Sequence, residues 1–352
     1  MDLKELLKSC IQNKASDLHL TENSPPILRI DGKLTPLPHK ALTKEELKKG
    51  IYGLMTDNQK EKFERDYELD FSLALDDLER FRVNVHIQRG SVEAAFRRIP
   101  QEIPNIADLG LPPAVYEFAK KSRGLVLITG PTGTGKTTTL AALINFINEE
   151  RSCMIMCVED PIEFIHKNKK SVIKQREVYS DTHSFAEALK RCLRQDPDVI
   201  VVGEMRDLET ISTALTAAET GHLVLATLHT PDAAQTIERI IDVFPSHQQQ
   251  QVRLQLSTAI QGIMCQILLP RAEGKGRVLA TEVLVATPGI RNLIREQEVE
   301  QIPTAIQTGM QYGMHTMDMC LKMLYKKGLI TYEEAFAQVK NPEEFKQLIK
   351  DK

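Results

Sequence analysis

Apolar positions near the start of the chain recur with helical spacing: Leu3, Leu6, Leu7, Cys10 and Ile11 fall at i, i+3, i+4, i+7 and i+8, which predicts an amphipathic helix. Residues 17–20 then read as a short strand, Pro25-Pro26 closes that segment, and residues 27–30 read as a second strand before the tight-turn pair Asp31-Gly32. Thr43 with Glu46 three positions later forms a capping box, opening a helix that runs to about residue 65. Three strand-like stretches follow at 69–75, 80–88 and 92–98, separated by Asp76-Asp77 and Arg89-Gly90. Residues 1–99 therefore predict a small α+β domain.

Sustained periodicity is lost over residues 100–112, where Pro100, Pro104 and Pro112 mark a linker or hinge. Beyond it the pattern alternates. Apolar runs at 125–129, 154–158, 199–202 and 223–227 suit buried strands, and helix-compatible segments begin at Lys136 and cover 184–193 and 208–219. Alternation of this kind over residues 113–290 predicts an α/β fold with a mostly parallel sheet. Past Pro288 the chain reads as several helices, one opened by the pair Thr331 and Glu334, which makes residues 291–352 a helical C-terminal region.

Composition narrows the class. With 42% hydrophobic and 26% charged residues the chain is neither disordered nor fibrous, and 352 residues suffice for two or three domains. The longest apolar runs fall short of the roughly 18 residues of a membrane-spanning helix, and Met1-Asp2-Leu3-Lys4-Glu5 lacks the apolar block of an export signal. A cytoplasmic protein is expected. Six scattered cysteines without a CxxC pair suggest neither a zinc ribbon nor a disulfide framework. A net charge of −3, no tryptophan and 5% aromatic residues argue against nucleic acid as the main partner.

The clearest chemistry lies at Gly130-Pro131-Thr132-Gly133-Thr134-Gly135-Lys136-Thr137, followed by Thr138, which fits G-x-x-x-x-G-K-[ST] between an apolar strand and a helix. Glycines let backbone N–H groups converge on phosphates, Lys136 brings a point charge to the outer phosphates, and the Thr137 hydroxyl is placed to ligate Mg²⁺. A phosphate cradle alone fits a kinase, a GTPase, a nucleic-acid motor or a non-hydrolysing nucleotide-binding regulator. Strand 199–202 narrows the choice, because it ends in Gly203-Glu204 and so carries Glu204 to the sheet edge where it can orient attacking water. Beyond strand 154–158, Glu159-Asp160-Pro161-Ile162-Glu163 sets three carboxylates within five residues, a cluster that calls for a cation or arginine nearby. His222 and His229 bracket the strand at 223–227.

These four segments, in this order, resemble the secretion and pilus ATPase superfamily, whose members carry a phosphate loop, an acidic box, an atypical second motif ending in glutamate and a histidine box. Ala15-Ser16-Asp17-Leu18-His19-Leu20, Arg80-Phe81-Arg82-Val83-Asn84, Gln88-Arg89-Gly90, Arg239-Ile240-Ile241-Asp242-Val243-Phe244-Pro245 and Gly289-Ile290-Arg291-Asn292-Leu293-Ile294-Arg295-Glu296 resemble the PilT-type branch, the retraction motors of type IV pili. That resemblance implies a RecA-like P-loop motor domain preceded by a PAS-like domain. It implies a homohexamer hydrolysing ATP with Mg²⁺ at the inner face of the inner membrane, acting on a pilus-base platform protein. It further implies that Glu204 is the catalytic glutamate, that Glu159, Glu163, His222 and His229 support the site, and that an arginine reaches a neighbouring subunit's nucleotide. Arg80, Arg82, Arg89 and Arg277 are all open for that last role. Assembly-type relatives usually carry an extra amino-terminal domain and a tetracysteine insertion; here residues 264–271 run on with Cys265 alone, which is expected to disfavour assembly.

Overall fold

The computed structural model describes residues 2–30, 32–75, 79–99, 102–340, 342, 343 and 345. The chain divides into two compact units, Met1–Glu102 with Pro161–Ile165, and Ile103–Asp160 with His166–Lys352.

In the first unit, helix α1 (Leu3–Gln12) precedes strands β1 (Asp17–Leu20), β2 (Ile27–Ile30) and β3 (Lys33–Pro36), then helices α2 (Lys44–Tyr52) and α3 (Asp57–Asp66), then β4 (Glu68–Leu75), β5 (Glu79–Gln88) and β6 (Ser91–Ile99). All pairings in this sheet, ordered β3-β2-β1-β6-β5-β4, are antiparallel. Leu7, Leu18, Leu28, Leu47, Phe63, Phe81, Val83 and Phe96 fill the core between helices and sheet. The single helix expected from Thr43 to about residue 65 is two, because Gly53 ends the first and a second capping box, Thr56 with Gln59, starts another. Gly32, at φ 82°, closes the β2–β3 hairpin; Asp31 and the Asp76-Asp77 pair lie outside the described residues. Arg89 (φ 47°) and Gly90 (φ 77°) form the two-residue loop between β5 and β6, both left-handed as such a hairpin demands.

Asp17 ties three strands of this sheet together. It stands opposite Arg29 of β2 and Arg97 of β6, with Arg97 Nε 2.9 Å from one carboxylate oxygen and the Ser16 hydroxyl donating to the other at 2.8 Å. Burial opposes its ionisation, but the Ser16 hydrogen bond and the Arg97 guanidinium outweigh that and hold the carboxyl below its usual range. A depressed carboxylate contributes stability above the unfolded value of about 3.9 and loses it as pH falls through the folded value. Arg97 is largely exposed and returns to water at little cost, so Asp17→Ala is expected to cost about 1–2 kcal/mol at neutral pH. Amide exchange in β1 and β6 of the full chain should quicken accordingly; exchange matching that of the parent would refute the tie.

The second unit begins with a 3₁₀ turn (Ile106–Leu109) and helix α4 (Pro113–Ala119). Much of the expected linker is thus ordered, with Ile106 and Leu111 buried in this unit's core; Pro100 lies outside the described residues. Next come β7 (Gly124–Thr129), α5 (Lys136–Glu150), β8 (Met154–Glu159), β9 (Val172–Glu177), α6 (Phe185–Cys192), β10 (Val199–Val202), α7 (Leu208–Glu219) and β11 (Leu223–Leu228). Helices α8 (Ala233–Asp242) and α9 (Ser246–Ala259) lead to the hairpin β12 (Ile260–Pro270) and β13 (Arg277–Val285). Helices α10 (Pro288–Arg295), α11 (Ile302–Thr308), α12 (Met317–Lys326) and α13 (Tyr332–Phe336) follow, the last capped by Thr331. The sheet runs β13-β12-β7-β11-β10-β8-β9 and is parallel throughout except for the β12–β13 pair.

Both faces of the sheet are covered. Leu125 and Leu127 point to the side lined by Leu189, Ile211, Ile237, Leu256 and Ile290, whereas Val126 and Ile128 point to the side lined by Val115, Leu140, Ile144 and Ile147. Burial on both faces explains why these strands read as continuous apolar runs instead of alternating ones. Among the described residues, no helix is long and apolar enough to cross a membrane.

Candidate functional site

At the carboxyl end of central strand β7 the chain turns through a loop with three glycines at positive φ, Gly130 (141°), Gly133 (81°) and Gly135 (87°). A side chain at Gly130 would place its Cβ 2.2 Å from the Gln266 carbonyl oxygen, so only glycine allows the loop to run against β12. Gly135 is the N-cap of α5 and supplies no capping side chain, which leaves the first-turn amides of Lys136, Thr137 and Thr138 available to an anion. Pro131, Thr132 and Gly133 form the exposed rim, and the Thr134 hydroxyl donates to the Pro131 carbonyl at 2.8 Å. The buried Lys136 ammonium donates to the carbonyls of Gly130 (2.6 Å) and Pro131 (2.9 Å), which holds it at the loop's mouth.

Strand β10 lies two places from β7 and delivers Gly203-Glu204 to the same edge. The Glu204 carboxylate is gripped by Arg206, whose Nε lies 2.6 Å from Oε1 and whose Nη2 donates to Oε2 at 2.7 Å. His229, just past β11, brings Nε2 to 3.1 Å from Glu204 Oε1, and its Nδ1 lies 3.4 Å from the Thr132 hydroxyl. Thr132, His229, Glu204 and Arg206 thus form one chain of polar contacts from the loop rim to the second strand. Burial of Glu204 opposes ionisation, yet the Arg206 fork and nearby His229 prevail and hold its carboxyl below the usual range. A carboxylate so stabilised is a weak proton acceptor and a good orienting group.

The other expected site residues divide. Glu159 ends β8 beside this cluster, where Gln175 of β9 donates to it at 2.8 Å. Glu163 is half-buried and belongs to Pro161–Ile165, the segment whose contacts group it with the first unit. His222 is not brought to the site. It precedes β11, donates from Nδ1 to the Ala217 carbonyl of α7 (3.0 Å), and sits a full strand length from His229 at the opposite end of that strand. Arg80 and Arg82 lie on β5 on the face opposite Phe81 and Val83, and Arg89 is exposed in the following turn. Arg277 opens β13 and donates to the carbonyl of Gly133 at 3.5 Å, so it touches its own chain's phosphate loop.

Sequence reading gave no role to Arg206, Gln175 or Gln266. Arg206 had a signal, since two residues beyond Glu204 in extended chain returns to the same side. Gln266 had one too, as a polar residue amid the apolar run of β12. For a divalent cation the local donor set is the Thr137 hydroxyl, half-exposed on the first turn of α5, and among the described residues no cluster of three His, Cys, Asp or Glu side chains could form a cage. That suits Mg²⁺, which keeps its waters and is held largely by substrate phosphates.

Residues 1–281 match the family described as Type II/IV secretion system protein. The chain is 49% identical over 350 residues to the type IV pilus retraction ATPase PilT of Pseudomonas aeruginosa, covering 98% of this chain and 100% of that protein. It is 46% identical over 318 residues to a twitching motility protein of Neisseria gonorrhoeae, covering 90% of this chain and 85% of that one. Among solved structures, the pilus retraction motor PilT with bound ADP superposes with a TM-score of 0.93 at 48% identity, covering 99% of both chains. With a phosphate loop and a carboxylate at the carboxyl ends of two strands of one parallel sheet, and a match of this extent, the chain belongs to the Type II/IV secretion system protein family.

Proposed function

We propose that this protein is an ATPase that converts ATP hydrolysis into the retraction of type IV pili. One observation carries the reading: a phosphate loop with uncapped helix amides stands beside a carboxylate that two cationic or donor side chains hold in its charged form. The loop amides and Lys136 bind the β- and γ-phosphates. Glu204 orients a water toward the γ-phosphorus, and His229 links that carboxylate to the loop through Thr132. Bound Mg²⁺, held by Thr137 and phosphate oxygens, would neutralise charge that develops on the leaving diphosphate. Glu159 and Glu163 supply negative charge around the acidic box.

In this reading the protein works as a homohexamer in the cytoplasm, at the inner face of the inner membrane, on a pilus-base platform protein. Arg80, Arg82 and Arg89 are the candidates for reaching a neighbouring subunit's nucleotide, with residues 100–112 as the hinge; Arg277, occupied at its own loop, suits a supporting role better. Full-length likeness to a retraction ATPase favours retraction over assembly. Deleting the gene and counting surface pili decides between them: hyperpiliated cells without twitching are expected, and bald cells would point to assembly instead.

A further inference from the structure

We propose that Gln266 is a positioning residue of the phosphate loop, holding its peptide planes so that the amides face the anion; this rests on the loop being the triphosphate site. Amides can converge on a phosphate only if the carbonyls of the same peptides turn away and find partners elsewhere. The β12–β13 hairpin supplies those partners. Gln266 Nε2 donates to the Thr134 carbonyl at 2.7 Å, in a site where the glutamine is 1% exposed, and Arg277 approaches the neighbouring Gly133 carbonyl.

Residue 266 meets the loop at three points. Its backbone carbonyl blocks any Cβ at Gly130, its side chain holds Thr134, and its Nε2 would lie 3.4 Å from a Cβ at Gly135. Register explains the reach: Cys265 pairs with Thr129, so the next residue of β12 runs beside the point where β7 becomes loop. The Gln266 Oε1 is buried with no hydrogen-bond partner among the described residues. Turning the amide over would set that oxygen against the Thr134 carbonyl, so the donor end faces the loop. A buried amide satisfied at one end only is costly in a strand of apolar residues, and its Nε2 contact with the loop is what offsets that cost.

Loop preorganisation acts on bound ground state and transition state alike, which separates Gln266 from a group acting on the chemical step. Gln266→Met keeps length and volume but removes the donor. In the full-length protein it is expected to raise the Kd for a fluorescent ATP analogue about tenfold, the equivalent of one hydrogen bond to an organised loop, with kcat within about threefold of the parent. Thermal midpoints recorded in parallel separate a merely structural effect, which would lower stability and leave the Kd alone. Should the methionine variant fail to fold, Gln266→Glu keeps the shape while setting a carboxylate against the Thr134 carbonyl. It is expected to weaken ATP binding more than tenfold and to speed amide exchange at residues 133–137. Unchanged affinity in a folded variant would overturn the positioning role, whereas a parent protein that binds no nucleotide would overturn the reading of the loop itself.

Discussion

Replacing Lys136 by alanine is expected to abolish ATP turnover, lowering kcat/KM by at least about 10³-fold, or roughly 4 kcal/mol of transition-state stabilisation. The size follows from placement. Lys136 is nine-tenths buried at the start of α5, and its ammonium already lies within the loop, donating to the Gly130 and Pro131 carbonyls. A charge in so dry a setting acts on phosphate oxygens with little screening, whereas Arg277 reaches the loop only at its exposed rim. The variant also leaves the Gly130 and Pro131 carbonyls without that donor, so the empty loop should loosen as well as lose its charge. Phosphate release from purified protein with ATP and magnesium measures the first effect, and twitching motility in a complemented strain measures its consequence. Turnover within tenfold of the parent would mean that the triphosphate is held somewhere else.

The parts of this site that were legible in the sequence are those fixed over a few consecutive residues. Gly130 to Thr137 declares its geometry locally, because glycines at positive φ and a helix start need no distant partner to be read. Strands β7, β8, β10 and β11 were equally plain, since burial on both faces writes them as unbroken apolar runs. What escaped depends on register or on distance along the chain. Strand β9 alternates Val-Ile-Lys-Gln-Arg-Glu at the sheet edge and is half solvated, so its pattern is weak. His222 and His229 look equivalent as a bracketing pair, yet at about 3.3 Å per residue the strand between them sets them at its opposite ends. The grouping of Pro161–Ile165 with the first unit is a long-range property with no local signature. Gln266 meets Thr134 across 132 positions for the same reason.

Glu204→Gln is expected to leave ATP affinity within about threefold of the parent while lowering kcat by 10² to 10³, on the order of 3–4 kcal/mol. Glutamine preserves the volume and one acceptor oxygen, so the half-buried pocket at the end of β10 should remain filled. It removes the charge, however, and turns an N–H₂ toward either the Arg206 fork or His229, both of which now donate to Glu204. One donor pair must then face another, and the chain of contacts back to Thr132 is broken at the carboxylate. The pH dependence gives an independent reading. Because Arg206 and His229 overcome the effect of burial and hold Glu204 below the ordinary carboxylate range, any loss of kcat from its protonation is expected at a lower pH than an ordinary glutamate would give. The variant should therefore lower kcat by the same factor across neutral and mildly acidic pH, as measured by phosphate release at saturating ATP beside a binding titration. Near-parental kcat would remove Glu204 from the chemistry. A parallel collapse of affinity would instead make it a structural clasp between β10 and the loop, leaving the orientation of water to a carboxylate of the acidic box.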